Sequence, residues 1–117
     1  ASLAINAVIV WSSWGLLREG TRMSLAAVPR HIDPAAVRDF LQSRPGVAAL
    51  HDLHIWPMST TEVALTGHLV MPGGHPGDHF LNETAHELDH RFGVHHATLQ
   101  IETDPWIACP LEPDAVV

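Results

Sequence analysis

The chain has 117 residues, which bounds it to a single domain, and its formal net charge of −7 argues against a nucleic-acid partner because no basic surface is available to meet phosphates. Its 10 histidines exceed its 6 lysines and arginines combined, and such an excess favours metal binding. The one cysteine, Cys109, excludes an intrachain disulfide and is compatible with a reducing compartment.

The N-terminal segment 1–17 is apolar and almost uncharged. As a helix it would be about 25 Å long, a little shorter than the ~30 Å hydrocarbon core of a bilayer. Two tryptophans lie near its end and Arg18 and Arg22 follow, which is the order expected where a spanning helix leaves a bilayer on its cytoplasmic side. We therefore expect 1–28 to be the end of a transmembrane helix and its connector. A buried helix of a soluble protein is the alternative.

The next two elements are a helix and a hairpin. Asp33 followed by Pro34 is a typical helix start and predicts a helix over 34–42. From 50 to 71, apolar and polar residues alternate on both sides of the polar turn 59–62, which predicts two antiparallel strands.

The remaining segments are a helix, a strand and a tail. Apolar residues recur at spacings of three and four over 78–92, which predicts an amphipathic helix. Alternation over 95–103 predicts the last strand, and the proline-rich segment 105–117 is expected to be an irregular tail. The domain proper is therefore expected to span 29–104.

After the N-terminal helix, the predicted order is α-β-β-α-β, an α+β fold. Two helices can cover one face of a three-stranded sheet and form an open-faced sandwich. The core of this sandwich is small, and a free sheet face bearing Trp56 favours a dimer. The predicted core consists of Val37, Phe40, Leu41, Leu53, Ile55, Leu65, Leu69, Phe80, Leu88, Leu99 and Ile101.

Several histidines fall on the predicted sheet. A metal site needs three or four donors from His, Cys, Asp or Glu that converge on one point. His68 and Glu102 lie at strand positions that point away from the helices, whereas His51 and His95 lie at strand starts, where side chains can turn toward a sheet edge. His54 is either a packed histidine beside Trp56 or a further ligand, and spacing alone leaves this open.

Enzyme motifs are absent from the sequence. It contains no Gly-x-Ser-x-Gly elbow, no glycine-rich phosphate loop and no His-Glu-x-x-His helix. Cys109 lies in a proline-rich tail, which is a poor position for an oriented nucleophile. We therefore expect no enzymatic activity, with a zinc hydrolase as the alternative.

Four stretches taken together resemble the cation diffusion facilitator family of zinc and divalent-metal transporters. They are WSSWGLLREGTRMSLAAVP, RPGVAALHDLHIW, ALTGHLVM and FGVHHATLQIE, and they follow the family's order from Ala1 to Glu102. The resemblance implies a proton-coupled antiporter that exports zinc or related ions, with its transport site in helices other than those seen here. It also implies a cytoplasmic C-terminal domain with a metallochaperone-like, or ferredoxin-like, fold that dimerises and binds regulatory metal.

The same resemblance implies a ligand set. Matched position by position, His51, His68, His95 and Glu102 would form one zinc site, and the residue that some members use near the start of the second helix would be His79. His54, from its place on the hairpin and not from the resemblance, is another candidate. Two features depart from the family pattern. Gln100 replaces a histidine of some members, which argues against a bridged two-metal site. The tail has no Cys-x-x-Cys, which makes Cys109 a weak ligand candidate.

The predicted function is that of a cytoplasmic regulatory domain, metal-binding and dimerising, in a proton-coupled efflux transporter of the inner membrane. Zinc is the favoured ion, because imidazoles suit it, and cobalt, cadmium, nickel, iron and manganese are the alternatives. Imidazole binds metal in its neutral form, so affinity is expected to fall below about pH 6.5. A free-standing metal chaperone or buffer domain is the alternative function.

Overall fold

The computed structural model describes residues 2–107 and 109–111. The predicted α+β order is confirmed, with a long helix ahead of an α-β-β-α-β unit. The elements are α1 Ser2–Ser24, α2 Pro34–Gln42, β1 Ala49–Pro57, β2 Val63–Val70, α3 Asp78–Phe92 and β3 His96–Glu102.

The three strands form one sheet in the order β1-β2-β3. β2 is antiparallel to β1 and parallel to β3, so α3 is the crossover that connects the two parallel strands. In this register His51 lies opposite His68, and Glu102 lies opposite Val70. His68, on the central strand, therefore lies between polar residues of the two neighbouring strands.

Local signals explain where the helices of the sandwich begin and end. The Asp33 carboxylate accepts a hydrogen bond from the Ala35 N–H at 3.0 Å, which satisfies one of the free donors at the start of α2. Gly93 ends α3 with a φ of 70°, a left-handed conformation that suits glycine. Both helices have the bounds predicted from the sequence.

The core lies between these two helices and one face of the sheet. Phe80, Leu99 and Ile101 were expected inside it, but they are partly buried and pack against its margin. Leu50 was not expected there and is 4% exposed. The buried cluster is Ile32, Val37, Phe40, Leu41, Leu50, Leu53, Ile55, Val63, Leu65, Leu69, Met71, Leu88 and Val94.

Helix α1 extends away from the sandwich and contributes no buried residue. Val8 is 67% exposed and Trp11 is 86% exposed, so neither packs into the core of this domain. At the end of the helix, the Arg22 guanidinium donates a hydrogen bond to the Val28 carbonyl at 2.9 Å. Among the described residues, no helix is both long and apolar enough to span a membrane.

Candidate metal centre

A bulge in β1 places the hairpin histidines on one face. The register shifts between His51, which pairs with His68, and His54, which pairs with Thr66. Asp52, at the shift, has a φ of 50°. Directly opposite residues share a face of a sheet, so the bulge turns all three histidines to the face that the helices leave open.

The same bulge changes the predicted orientation of His51. Without it, His51 would share a face with Leu53, and its position at the start of the strand predicts a side chain that turns toward the sheet edge. Instead Leu50 and Leu53 both enter the core on either side of Gly67, where an added Cβ would lie 3.4 Å from a methyl group of each. His51 is buried on the opposite face, with 6% of its surface exposed.

Glu102 lies between the two buried histidines. Its Oε1 is 2.9 Å from His68 Nδ1 and 3.3 Å from His51 Nε2. The Gln100 side-chain amide donates to the same oxygen at 3.2 Å. The two imidazole rings are 5.2 Å apart between centroids. One carboxylate therefore meets both rings at the end of the sheet where β3 finishes.

The fourth donor comes from the segment that follows β3. Asp104 Oδ1 accepts a hydrogen bond from the Trp106 N–H at 2.9 Å, within a turn that reverses the chain. Cys109 then lies with its Sγ 3.7 Å from His68 Nδ1. The missing Cys-x-x-Cys predicts only a weak ligand at this position, and the structure instead brings the thiol to the site. The Asp-Pro turn and the short segment of six residues between Glu102 and Cys109 are the signals that would have pointed to it.

These four residues match the dimensions of a tetrahedral metal site. One donor atom from each of His51, His68, Glu102 and Cys109 lies within 4.8 Å of all the others. Zinc ligands at 2.0–2.3 Å from the ion are separated from each other by about 3.3–3.8 Å. Three of the separations between these donors, from 2.9 to 3.7 Å, are close to these values, and the others are at most 4.8 Å. Side-chain movements that bring the donors to ligand distances would therefore complete a site for a divalent ion.

The cluster of four donors also has a distinct electrostatic character. Burial raises the pKa of Glu102, but the Cys109 thiol, the charge of His51 and hydrogen bonds from both imidazoles outweigh it and lower that pKa below 4.5. A backbone hydrogen bond at Leu111 lowers the pKa of Cys109, but burial and the carboxylates of Glu102 and Asp52 together raise it above its ordinary value. The carboxylate is therefore ionised at neutral pH while the cysteine keeps its proton.

Comparison with known proteins identifies the family. Residues 29–104 match the family model described as "Cation efflux protein, cytoplasmic domain". The chain belongs to the cation efflux family.

Relatives of this cation efflux domain are much longer proteins. The probable proton-coupled zinc antiporter SLC30A3 of Bos taurus is 36% identical over 86 residues, which are 74% of this chain and 22% of the relative. The metal cation efflux system protein CzcD of Cupriavidus metallidurans is 34% identical over 94 residues, which are 80% of this chain and 30% of the relative. The chain thus spans less than a third of the length of each.

A solved structure has the same fold as the cation efflux domain. It is described as the metal-bound C-terminal domain of the CzcD transporter from Cupriavidus metallidurans. Its TM-score is 0.55 and its sequence identity is 35%, with 61% of this chain and 99% of that chain covered.

The cation efflux domain does not bring His95 to the other three predicted ligands. The His95 Nδ1 accepts a hydrogen bond from the Val63 N–H at 3.2 Å, and its Nε2 lies 3.9 Å from Asp89 Oδ1. His95 lies seven positions before Glu102, and over extended chain this corresponds to about 23 Å. His95 immediately precedes β3 and Glu102 is the last residue of β3, so within one chain the two do not approach the same ion.

The two additional candidates also lie outside the cluster of four donors. His79 is exposed near the start of α3, and α3 covers the opposite face of the sheet. His54 shares the open face, but its Nε2 lies 2.8 Å from Asp52 Oδ1. The partner of His54 is thus the Asp52 carboxylate, which lies at the edge of the cluster of four donors.

Proposed function

We propose that this cytoplasmic domain binds one regulatory divalent metal ion at His51, His68, Glu102 and Cys109. The observation that carries the proposal is the convergence of these four donors on the open face of the sheet. Four protein ligands favour a structural or regulatory site, because catalytic zinc sites keep a coordination position open for water. Cys109 belongs to the tail whereas the other three belong to the sheet, so the ion would hold the tail on the sheet.

Zinc is the ion that the donor set favours. Two imidazoles, a carboxylate and a thiolate form a mixed set that suits zinc, and the thiolate disfavours manganese and other ions that prefer oxygen ligands. The bovine relative is named as a zinc antiporter, which agrees with this choice. Cadmium, cobalt, nickel and iron are competitors that the same donors would accept with different affinities.

We propose that the full-length protein is a proton-coupled efflux antiporter of the inner membrane, with this domain in the cytoplasm. The names of the relatives support the transport activity. Helix α1 would belong to the membrane part, because its apolar side chains are exposed and its tryptophans precede its arginines. Flotation with phospholipid vesicles tests this role. Wild type should float and Ile9→Glu should float less, whereas absence of wild type from the vesicle fraction would argue against it.

We also propose a homodimer with twofold symmetry. The core is small, and exposed apolar side chains of Met58, Trp106 and Ile107 lie outside α1. Sedimentation of the chain with and without zinc tests this proposal. A dimer that zinc tightens is expected, and a monomer at tens of micromolar protein in the presence of zinc would contradict it.

Zinc titration by calorimetry tests the metal site directly. Wild type should bind one zinc ion per chain at pH 7, and His68→Ala should bind much more weakly. His86→Ala is the matched control, because His86 is an exposed histidine on α3 that stacks on His90, outside the cluster of four donors. Equal affinities for wild type and His68→Ala would refute the proposed site.

A further inference from the structure

Asp52 lies between two imidazoles at the edge of the proposed metal site. Its Oδ1 is 2.8 Å from His54 Nε2, and its Oδ2 is 3.4 Å from His68 Nε2. Its side chain is 21% exposed, so the carboxylate is mostly shielded from water. Asp52 is not one of the four donors of the proposed site, so its carboxylate has no role in that proposal.

The two ring nitrogens of His68 face different groups. Nδ1 faces Glu102 at 2.9 Å and the Cys109 thiol at 3.7 Å, which is the side where the metal would bind. Nε2 faces Asp52. When a histidine binds metal through one nitrogen, the other keeps its hydrogen, and a carboxylate that accepts it fixes the tautomer and the ring orientation.

We propose that Asp52 is a positioning residue for the metal site, which accepts the Nε2 hydrogen of His68 and holds Nδ1 toward the ion. This inference rests on the proposed function. In metal-loaded protein, the Asp52 carboxylate makes the imidazole a better ligand because it stabilises the positive charge that the metal draws onto the ring. Asp52 itself does not touch the ion.

His54 has a supporting part in this arrangement. Its short contact with Oδ1 holds the carboxylate in one rotation, so that Oδ2 stays directed at His68. This accounts for a third histidine on the open face that is not among the four donors. His54 therefore acts on the metal through Asp52 and then His68.

The backbone explains why an aspartate is suited to this position. A φ of 50° lies in the left-handed region, which glycine, asparagine and aspartate adopt more readily than other residues. Of these three, aspartate alone carries a carboxylate. One residue thus produces the bulge that turns His51 to the open face and supplies the acceptor for His68.

Zinc affinity of three variants tests the proposal by competition with a chromophoric chelator. Asp52→Asn and Asp52→Gly both suit the left-handed backbone but lack the carboxylate, and each should bind zinc about 10- to 100-fold more weakly than wild type. Glu62→Gln is the matched control, because it removes a carboxylate that lies 3.4 Å from His96 at the other end of the sheet. It should bind zinc like wild type.

A spectroscopic measurement separates positioning from a general effect on folding. In long-range ¹H–¹⁵N spectra of zinc-loaded protein, His68 should be bound through Nδ1, and its Nε2 hydrogen should exchange slowly with water. In Asp52→Asn that hydrogen should exchange faster, while the metal-free variant should unfold at the temperature of wild type.

Three results would overturn the inference: wild-type affinity in both Asp52 variants, zinc bound to Nε2 of His68, or unchanged exchange of that hydrogen in Asp52→Asn. If wild type itself fails to bind zinc through His51 and His68, the proposed function falls together with this inference. If wild type binds zinc there and Asp52→Asn matches it, the inference about Asp52 falls alone.

Discussion

His68 Nδ1 lies 2.9 Å from Glu102 Oε1 on the sheet face that neither α2 nor α3 covers. The two residues are 34 positions apart in the chain, and the parallel pairing of β2 with β3 brings them together. Because this contact joins two strands, a metal bound there also links the central strand to the edge strand. Ligand substitutions should therefore affect both metal affinity and the stability that metal confers.

Cys109→Ser tests the contribution of the tail to the metal site. The change removes the thiolate and leaves a hydroxyl, which is a poor ligand for zinc, so affinity should fall by at least about tenfold. Cobalt-loaded wild type should show a sulfur-to-cobalt charge-transfer absorption that the variant lacks. A wild-type cobalt spectrum in Cys109→Ser would show that the thiol does not bind the ion.

His95→Ala distinguishes the ligand set implied by the family resemblance from the cluster seen in the structure. The zinc affinity of each chain should be unchanged, because His95 lies at the far end of β3 from Glu102. The Val63 N–H would lose its acceptor, and stability should fall by about 1 kcal/mol. Calorimetry and thermal unfolding measure the two effects. A loss of zinc affinity as large as that of His68→Ala would restore His95 to the ligand set, for example across a dimer.

Zinc binding should release the Cys109 proton. The raised pKa keeps the thiol protonated at neutral pH, and zinc binds the thiolate, so affinity should rise with pH up to that pKa. Calorimetry at pH 7 in buffers of different ionisation enthalpy counts the protons released. Wild type should release about one proton more than Cys109→Ser. Equal proton release from the two proteins would argue that the cysteine stays protonated and unbound.

Without bound metal, the folded domain should lose stability in acid, partly because Glu102 becomes protonated. The pKa of Glu102 in the folded protein lies below its ordinary value of 4.5. The contribution of Glu102 to the free energy of unfolding is therefore fully present above the pKa of the unfolded state, and it is lost as pH falls through the pKa of the folded state. Glu102→Gln lacks this titration. The difference in thermal stability between wild type and Glu102→Gln should therefore shrink between pH 6 and pH 3. A difference that stays constant or grows over that range would contradict the lowered pKa of Glu102.

Much of the fold could be predicted from the sequence because its signals are local. The Asp33 cap, the Gly93 end and the spacing of apolar residues depend on neighbours within a few positions, and they gave the correct bounds of α2 and α3. The two long alternating runs likewise predicted the strands. His51, His68 and Glu102 were predicted as metal ligands from the family resemblance, and the structure brings their donor atoms together.

The sequence by itself determined the elements, the excess of histidine and the family, because composition and short-range periodicity are enough for these. Only the tertiary structure decided which donors converge. The bulge at Asp52 reverses the alternation in β1 and turns His51 toward His68, and a sequence pattern does not show such a register shift. The path of the tail brings Cys109 to the site, while the length of β3 keeps His95 away. The approach of Cys109 and the exclusion of His95 both depend on distances in the folded chain, which the sequence pattern alone does not give.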